Sequence, residues 1–328
     1  MTAPQTLRIV LFAVLVLAIN AGLTRAYFHA ETPSSWTLAT DAQLRARESF
    51  DLEWLILGDS HAKCGIEPRL LPNAFNLSTL GSHYYHSYYR LKHFLEQEGG
   101  SAAFVVLPMD THSVAWQRKR MEDGAYWSQY IDYPQMAWRT GDFAGYARQY
   151  LTDYWLPYAG HGDRIVEAGL GWSDTTTRFP LLDGHIQMPG DWSSTPHAER
   201  IALTEQRCAF IHDDYTLPDP VTLRYLRDTL ALCAAHGIRV VMVRFPLTEE
   251  AWEVIHEHME LDQLDALYDE LFAPYPDLVR IDLGHALGER LALFNDPDHL
   301  NEEGAQVFTR MLLERLDEAG LIARGNAS

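Results

Sequence analysis

The chain reads as an α/β protein on a mainly parallel sheet, with a large helical and loop insertion and an apolar N-terminal helix. Three features carry that reading. Short apolar runs recur, EWLIL (53–57), AAFVVLP (102–108) and IRVVMVRFP (238–246), and each closes on Gly or Pro. Segments with helix start and stop signals lie between them. The alternation of strand and helix implies right-handed crossovers, which make neighbouring strands parallel.

Taken in order, EWLIL is the first strand, closed by Gly58, and AFNLS (74–78) is a second, short one. A helix opens near Ser82 and stops before Gly99-Gly100, and AAFVVLP is the third strand. From His112 to about Tyr215 the sequence is rich in Trp and Tyr, is broken by Gly and Pro, and has no strand period. Most of its aromatics suit a satellite core, and the others suit platforms for the apolar faces of sugar rings. Regular structure returns at Asp219, a cap, with Pro220 at the first helical position and Gly237 at the stop. IRVVMVRFP is the next strand. The helical stretch 248–272, the strand DLVRIDL (277–283) and a last helix capped by Asn301 follow.

Composition limits the functions. Of 328 residues 47% are hydrophobic and 22% charged, which is ordinary for a globular protein. The net charge of -19 argues against a nucleic-acid or anionic-membrane surface, because a polyanion is repelled. At the N-terminus MTAPQTLR leads into IVLFAVLVLAINAGL, an apolar run between a signal-peptide core and a full span in length. Thr24-Arg25-Ala26 is a poor cleavage site, so an uncleaved signal anchor is expected over 1–26. A polar stalk over 27–50 follows, then a catalytic domain over 51–322, with the insertion at about 113–215, and a tail over 323–328. Cys64, Cys208 and Cys233 show no paired spacing, so neither a disulfide framework nor a structural zinc site is expected. A pair between Cys208 and Cys233 stays open.

In an open parallel sheet, ligands bind beyond the carboxyl ends of the strands. Gly58-Asp59-Ser60-His61 stands at such an end, which would place Ser60 at the start of a helix with its hydroxyl exposed. A serine becomes a nucleophile only beside a base that a third group orients. FNDPDHLNEEGAQVF supplies both near the C-terminus, with Asp296 three residues before His299.

Together, Gly58-Asp59-Ser60 and Asp296-x-x-His299-Leu300-Asn301 resemble the SGNH, or GDSL, hydrolase superfamily. The resemblance covers roughly 51–112 and 216–322. It implies a three-layer, flavodoxin-like α/β/α sandwich, with Ser60 as nucleophile, His299 as general base and Asp296 as its orienting partner. It also implies an oxyanion hole from the backbone N–H groups of Ser60 and Gly81, and no cofactor or metal. The family's Gly-x-Asn-Asp block has no match: VVLPMDTHS places Asp110 there, where an ionised carboxylate would oppose an oxyanion. The third donor is left open among Asn76, Thr111 and His112. With an N-terminal span and a stalk, the chain is similar in plan to anchored bacterial envelope members that acetylate alginate or assist D-alanylation of teichoic acid. That likeness implies an inner-membrane protein with its domain in the periplasm. It would act on an envelope polysaccharide or acylated small molecule, beside a multi-pass membrane acyltransferase. Transfer and hydrolysis both remain open.

Two other functions compete. A degenerate domain of this type could bind polysaccharide without catalysis. Asp59-x-His61 also resembles the first ligand motif of calcineurin-like metallophosphatases, with His83, His86, His93 and His112 as further ligands. The later motifs of those enzymes, Gly-Asn-His-Glu/Asp and Gly-His-x-His, do not occur.

Overall fold

The computed structural model describes residues 3–31, 35–114, 116–117, 124–159, 166, 179–216 and 218–322. The expected tail at 323–328 and parts of the insertion lie outside the described residues. The chain forms two compact units, Met1–Ala39 with Arg120–Arg178, and Thr40–Lys119 with Phe179–Ser328.

The main sheet of the second unit has five strands, β1 (Asp51–Ile56), β2 (Ala74–Asn76), β3 (Ser101–Pro108), β4 (Arg239–Arg244) and β5 (Val279–Asp282). All four pairings are parallel, in the order β2-β1-β3-β4-β5. β1, β3 and β4 bury nearly continuous apolar runs because both of their faces are covered. β5 instead alternates, with Ile281 buried between exposed Arg280 and Asp282. Those charges suit an edge strand, and Arg280 pairs with Asp269 while Arg244 on β4 pairs with Asp282.

Helices cover both faces. Trp54, Ile56, Phe104, Val106, Val241 and Val243 share a core with Phe308, Leu312 and Leu316 of α11 (Glu302–Glu318). α3 (Ser60–Gly65) packs against α11. α4 (Tyr84–Glu96) and α8 (Pro220–Ala235) pack together in another layer, where the hydroxyls of Tyr89 and Tyr225 meet at 2.8 Å. The result is the three-layer α/β/α arrangement. α7 (His197–Asp214), α9 (Glu249–His258) and α10 (Leu261–Phe272) complete the unit's longer helices among the described residues. The short edge strand β2 is guarded by the turn Asp183-Gly184, whose Asp183 carbonyl accepts from Asn76 N–H at 3.0 Å. Gly184 has φ +82°, and a Cβ there would lie 1.9 Å from the Asn76 carbonyl oxygen, so only glycine fits.

The stretch read as a stalk contains α2 (Trp36–Arg45). Its Asp41, buried, forms an ion pair with buried Arg90 of α4. Thr40 accepts from the buried Lys63 ammonium at 2.6 Å. The three cysteines are buried and unbridged, so Cys208 and Cys233 do not pair.

In the first unit, α1 (Ala3–Glu31) is long and apolar enough to cross a membrane, its most apolar 18-residue window having a mean hydropathy of 2.2. The insertion contributes α5 (Tyr133–Thr140) and α6 (Phe143–Gln149), which runs into a π-helical turn, Tyr150–Trp155. Its aromatics divide. Tyr126, Trp127 and Tyr133 are buried, as a satellite core requires, whereas Trp138, Phe143, Tyr154 and Trp155 are exposed.

Candidate active site

The strand order 2-1-3-4-5 reverses direction between β1 and β3, and a ligand crevice opens at such a switch point, beyond the strands' carboxyl ends. Gly58 makes the exit from β1 possible. Its φ is +140°, and a Cβ there would lie 2.6 Å from Pro108 Cδ at the end of β3. Asp59 then caps α3 by accepting from His61 N–H at 3.0 Å, which leaves Ser60, half-buried, as the first helical residue. The Gly58 carbonyl accepts from Thr79 N–H at 2.9 Å and from the Ser82 hydroxyl. That pins the loop carrying Gly81, which is exposed with φ +65°, beside the start of α3.

The loop before α11 is tied to the exit of β4. Thr248 donates to the Pro297 carbonyl from both its N–H and its hydroxyl, each at 3.1 Å. Asn301 caps α11 through Gly304 N–H at 2.9 Å and donates to the Gly190 and Ala292 carbonyls, both at 2.7 Å. Within the loop, Asp296 Oδ1 accepts from Asp298 N–H at 3.1 Å and His299 N–H at 2.8 Å. The same carboxylate meets His299 Nδ1 at 2.9 and 3.0 Å. A carboxylate only accepts, so Nδ1 carries the hydrogen and Nε2 is left as the basic nitrogen. The His299 ring stands 5.4 Å, edge to face, from that of His61, the residue after Ser60.

Two further histidine–carboxylate pairs bridge the switch point. Asp59-Ser60-His61 ends β1 and Asp110-Thr111-His112 follows β3, and the two triplets pair crosswise. His61 Nδ1 meets Asp110 Oδ2 at 2.8 Å, and His112 Nε2 meets Asp59 Oδ2 at 2.7 Å. Asp110 Oδ1 accepts from Phe245 N–H at 2.8 Å. Asp298 joins the set: its Oδ2 lies 3.6 Å from His61 Nε2 and 3.0 Å from Arg207 Nε, and its Oδ1 lies 3.2 Å from His299 Nδ1.

These contacts govern protonation. Burial opposes a charge on His61, but hydrogen bonds to Asp110 and Asp298 and the fields of Asp110 and Asp59 push its pKa from 6.5 up to about 10. Burial likewise opposes a charge on His299, and Asp298 and Asp296 overcome it, again to about 10. Burial would raise the Asp298 carboxyl, yet His299, His61 and Arg207 hold it well below the usual range. Asp59 is depressed too, by His112 and His61 against its burial.

The structure brings Asp296 and His299 together and sets them near the helix that Ser60 begins. Asp110 is not the bare anion its position suggested, because His61 and Phe245 N–H occupy its oxygens. Asn76 is corrected as a third donor: its amide donates to the Ala62 carbonyl at 2.7 Å and its oxygen accepts from Ser78 N–H. His112 is held by Asp59, and Thr111 is buried at the start of a 3-10 turn. Sequence reasoning passed over Asp298, Arg207 and the pairing of His61. The repeated Asp-x-His triplet was the available signal for the last of these.

Donor atoms of Asp59, His61, Asp110 and His112 lie within 4.8 Å of one another, as do those of His61, Asp298 and His299. Either group could offer a cation nitrogen and oxygen ligands. In the first group each histidine bonds a carboxylate directly, and each carboxylate's other oxygen takes a backbone N–H. These bonds engage one ring nitrogen of each histidine and both oxygens of each carboxylate.

No family model matches the chain, and no curated protein matches it. Among solved structures it is similar to a proposed acylhydrolase from Bacteroides fragilis, with 11% identity and a TM-score of 0.39, over 85% of this chain and 94% of that one. That likeness is too distant to bear on residues or chemistry.

Proposed function

We propose that the protein is a serine-dependent esterase or O-acyltransferase of the SGNH type, working through an acyl-Ser60 intermediate. The observation that supports this most is the loop at 296–301. It fixes His299 Nδ1 on Asp296 and brings the imidazole beside the helix that Ser60 opens at the sheet's switch point. In the first half-reaction His299 Nε2 takes the Ser60 hydroxyl proton as Oγ attacks the acyl carbon. The N–H groups of Ser60 and Gly81 would steady the resulting oxyanion. Collapse passes the proton to the leaving alcohol. In the second half-reaction His299 deprotonates water or a sugar hydroxyl, which attacks the acyl-serine and releases acid or acylated sugar.

The wider setting follows from α1. Anchored by that helix, the enzyme would face the periplasm and act on an envelope polysaccharide or acylated small molecule. A multi-pass membrane acyltransferase could supply the acyl group. The crosswise Asp-x-His pairs favour one other reading, a metal-dependent phosphoesterase.

A fluorophosphonate probe separates the possibilities. The wild-type chain should label, Ser60→Ala should not, and EDTA should leave labelling unchanged. Labelling that survives Ser60→Ala would remove the serine mechanism. An unlabelled wild type that hydrolyses an aryl phosphate and loses that activity to EDTA would favour the metal. No labelling and no turnover would leave a binding domain.

A further inference from the structure

We infer that the exposed aromatic face of the insertion lies in the headgroup region of the bilayer that α1 enters, so that the protein sits on the membrane as well as being tethered to it. This rests on the reading of α1 as an anchor. The Tyr158 hydroxyl donates to Asn20 Oδ1 of α1 at 2.7 Å. Asn20 lies five residues before Arg25, about 7.5 Å along the helix, and so near the C-terminal boundary of the apolar run. This is the level at which Tyr and Trp concentrate in membrane proteins, since one end of each side chain is apolar and the other is wet.

The segment that leads to Tyr158 has the character such a site requires. Along α6 and the π-helical turn, Phe143 is 56% exposed, Leu151 56%, Tyr154 48% and Trp155 42%. Their spacing places them along one side of the helix, the pattern of a helix lying in an interface. Trp138 of α5, 78% exposed, extends the patch by meeting Phe143 edge to face, with centroids 6.2 Å apart. Left in water, a patch of this kind is a liability, and its usual explanation is a partner. Charge agrees with a lipid partner: 143–156 contains one Arg and one Asp, in a chain of net charge -19. This neutral stretch can approach lipid without the repulsion that the rest of the surface would meet.

Nitroxide labels on the full-length chain in phosphatidylcholine nanodiscs test this, since the native cysteines are buried. Labels at Leu151→Cys and Trp155→Cys should collide with oxygen several-fold more than with a water-soluble nickel chelate, relative to a label at exposed Arg310→Cys on α11. A label at Leu15→Cys reports the anchor independently. If residue 15 is in lipid while 151 and 155 behave like 310, the anchor stands and this inference falls. If residue 15 also behaves like 310, both fall. Protection of 151 and 155 from both reagents would mean that protein, such as a second copy, covers the face, and would likewise overturn the inference.

Discussion

His299 holds its proton more tightly than a general base at neutral pH should. With its pKa pushed up to about 10 by Asp298 and Asp296 against burial, the neutral form is scarce at pH 7 and grows tenfold per pH unit. In kcat/KM for an aryl acetate, the limb rising with pH should therefore lie well into the alkaline range. Asp298 lies against both imidazoles, His299 and His61, and would act as a positioning residue through its charge on the base. Removing its charge in Asp298→Asn should move the limb to lower pH by about one or two units. A limb that stays in place would show that the base does not feel Asp298. Lys63 shows the opposite effect: burial beside Thr40 pulls its ammonium down to about 7.

At the scale of elements, two caps carry the candidate site. Asp59 begins α3 and presents Ser60, while Asn301 begins α11 and ends the loop that holds His299. Asn301 does more than cap, because its amide donates to two carbonyls from elsewhere in the chain. Asn301→Ala would leave those carbonyls and Gly304 N–H without partners in a buried place, at a cost of roughly 2–3 kcal/mol. Thermal unfolding should show the loss, and Asn301→Ser should restore only the share that belongs to the cap. Equal stability of Ala and Ser variants would mean that the two donations, not the cap, hold the loop.

Across the whole molecule, the perturbed groups set how stability responds to pH. His61 and His299 titrate near 10 when folded and 6.5 when unfolded, so their contribution is complete below 6.5 and is lost as pH rises towards 10. Lys63 works against them: between about 7 and 10.5 the unfolded chain binds its proton and the native chain does not, which raises stability with pH. Two protons held by the native state outweigh one held by the unfolded state. From pH 7.5 to 9.5 stability should fall, by at least about 1.4 kcal/mol per pH unit for the one net proton, and more steeply towards 9.5, where unfolded thiols ionise while burial keeps Cys64, Cys208 and Cys233 protonated. Denaturant melts across that range would show it, and a flat or rising profile would mean that the histidines are not held protonated.

The chain by itself announced the five strands of the main sheet: burial on both faces demands the unbroken apolar runs of β1, β3 and β4, and each of the five segments stopped at Gly, Pro or a polar turn. It also announced the Asp296–His299 contact, since a spacing of three residues on one loop lets a carboxylate reach the imidazole. Crosswise pairing of Asp59 with His112 and His61 with Asp110 was not legible, although both triplets were in view. Which partner each histidine takes depends on β1 lying beside β3, a pairing between segments some fifty residues apart. The reach of Asp298 to His61, and the tie of Tyr158 to Asn20, have the same origin. Local pattern determines what a segment becomes, whereas contacts between distant segments exist only once the sheet and helices have closed over a common core.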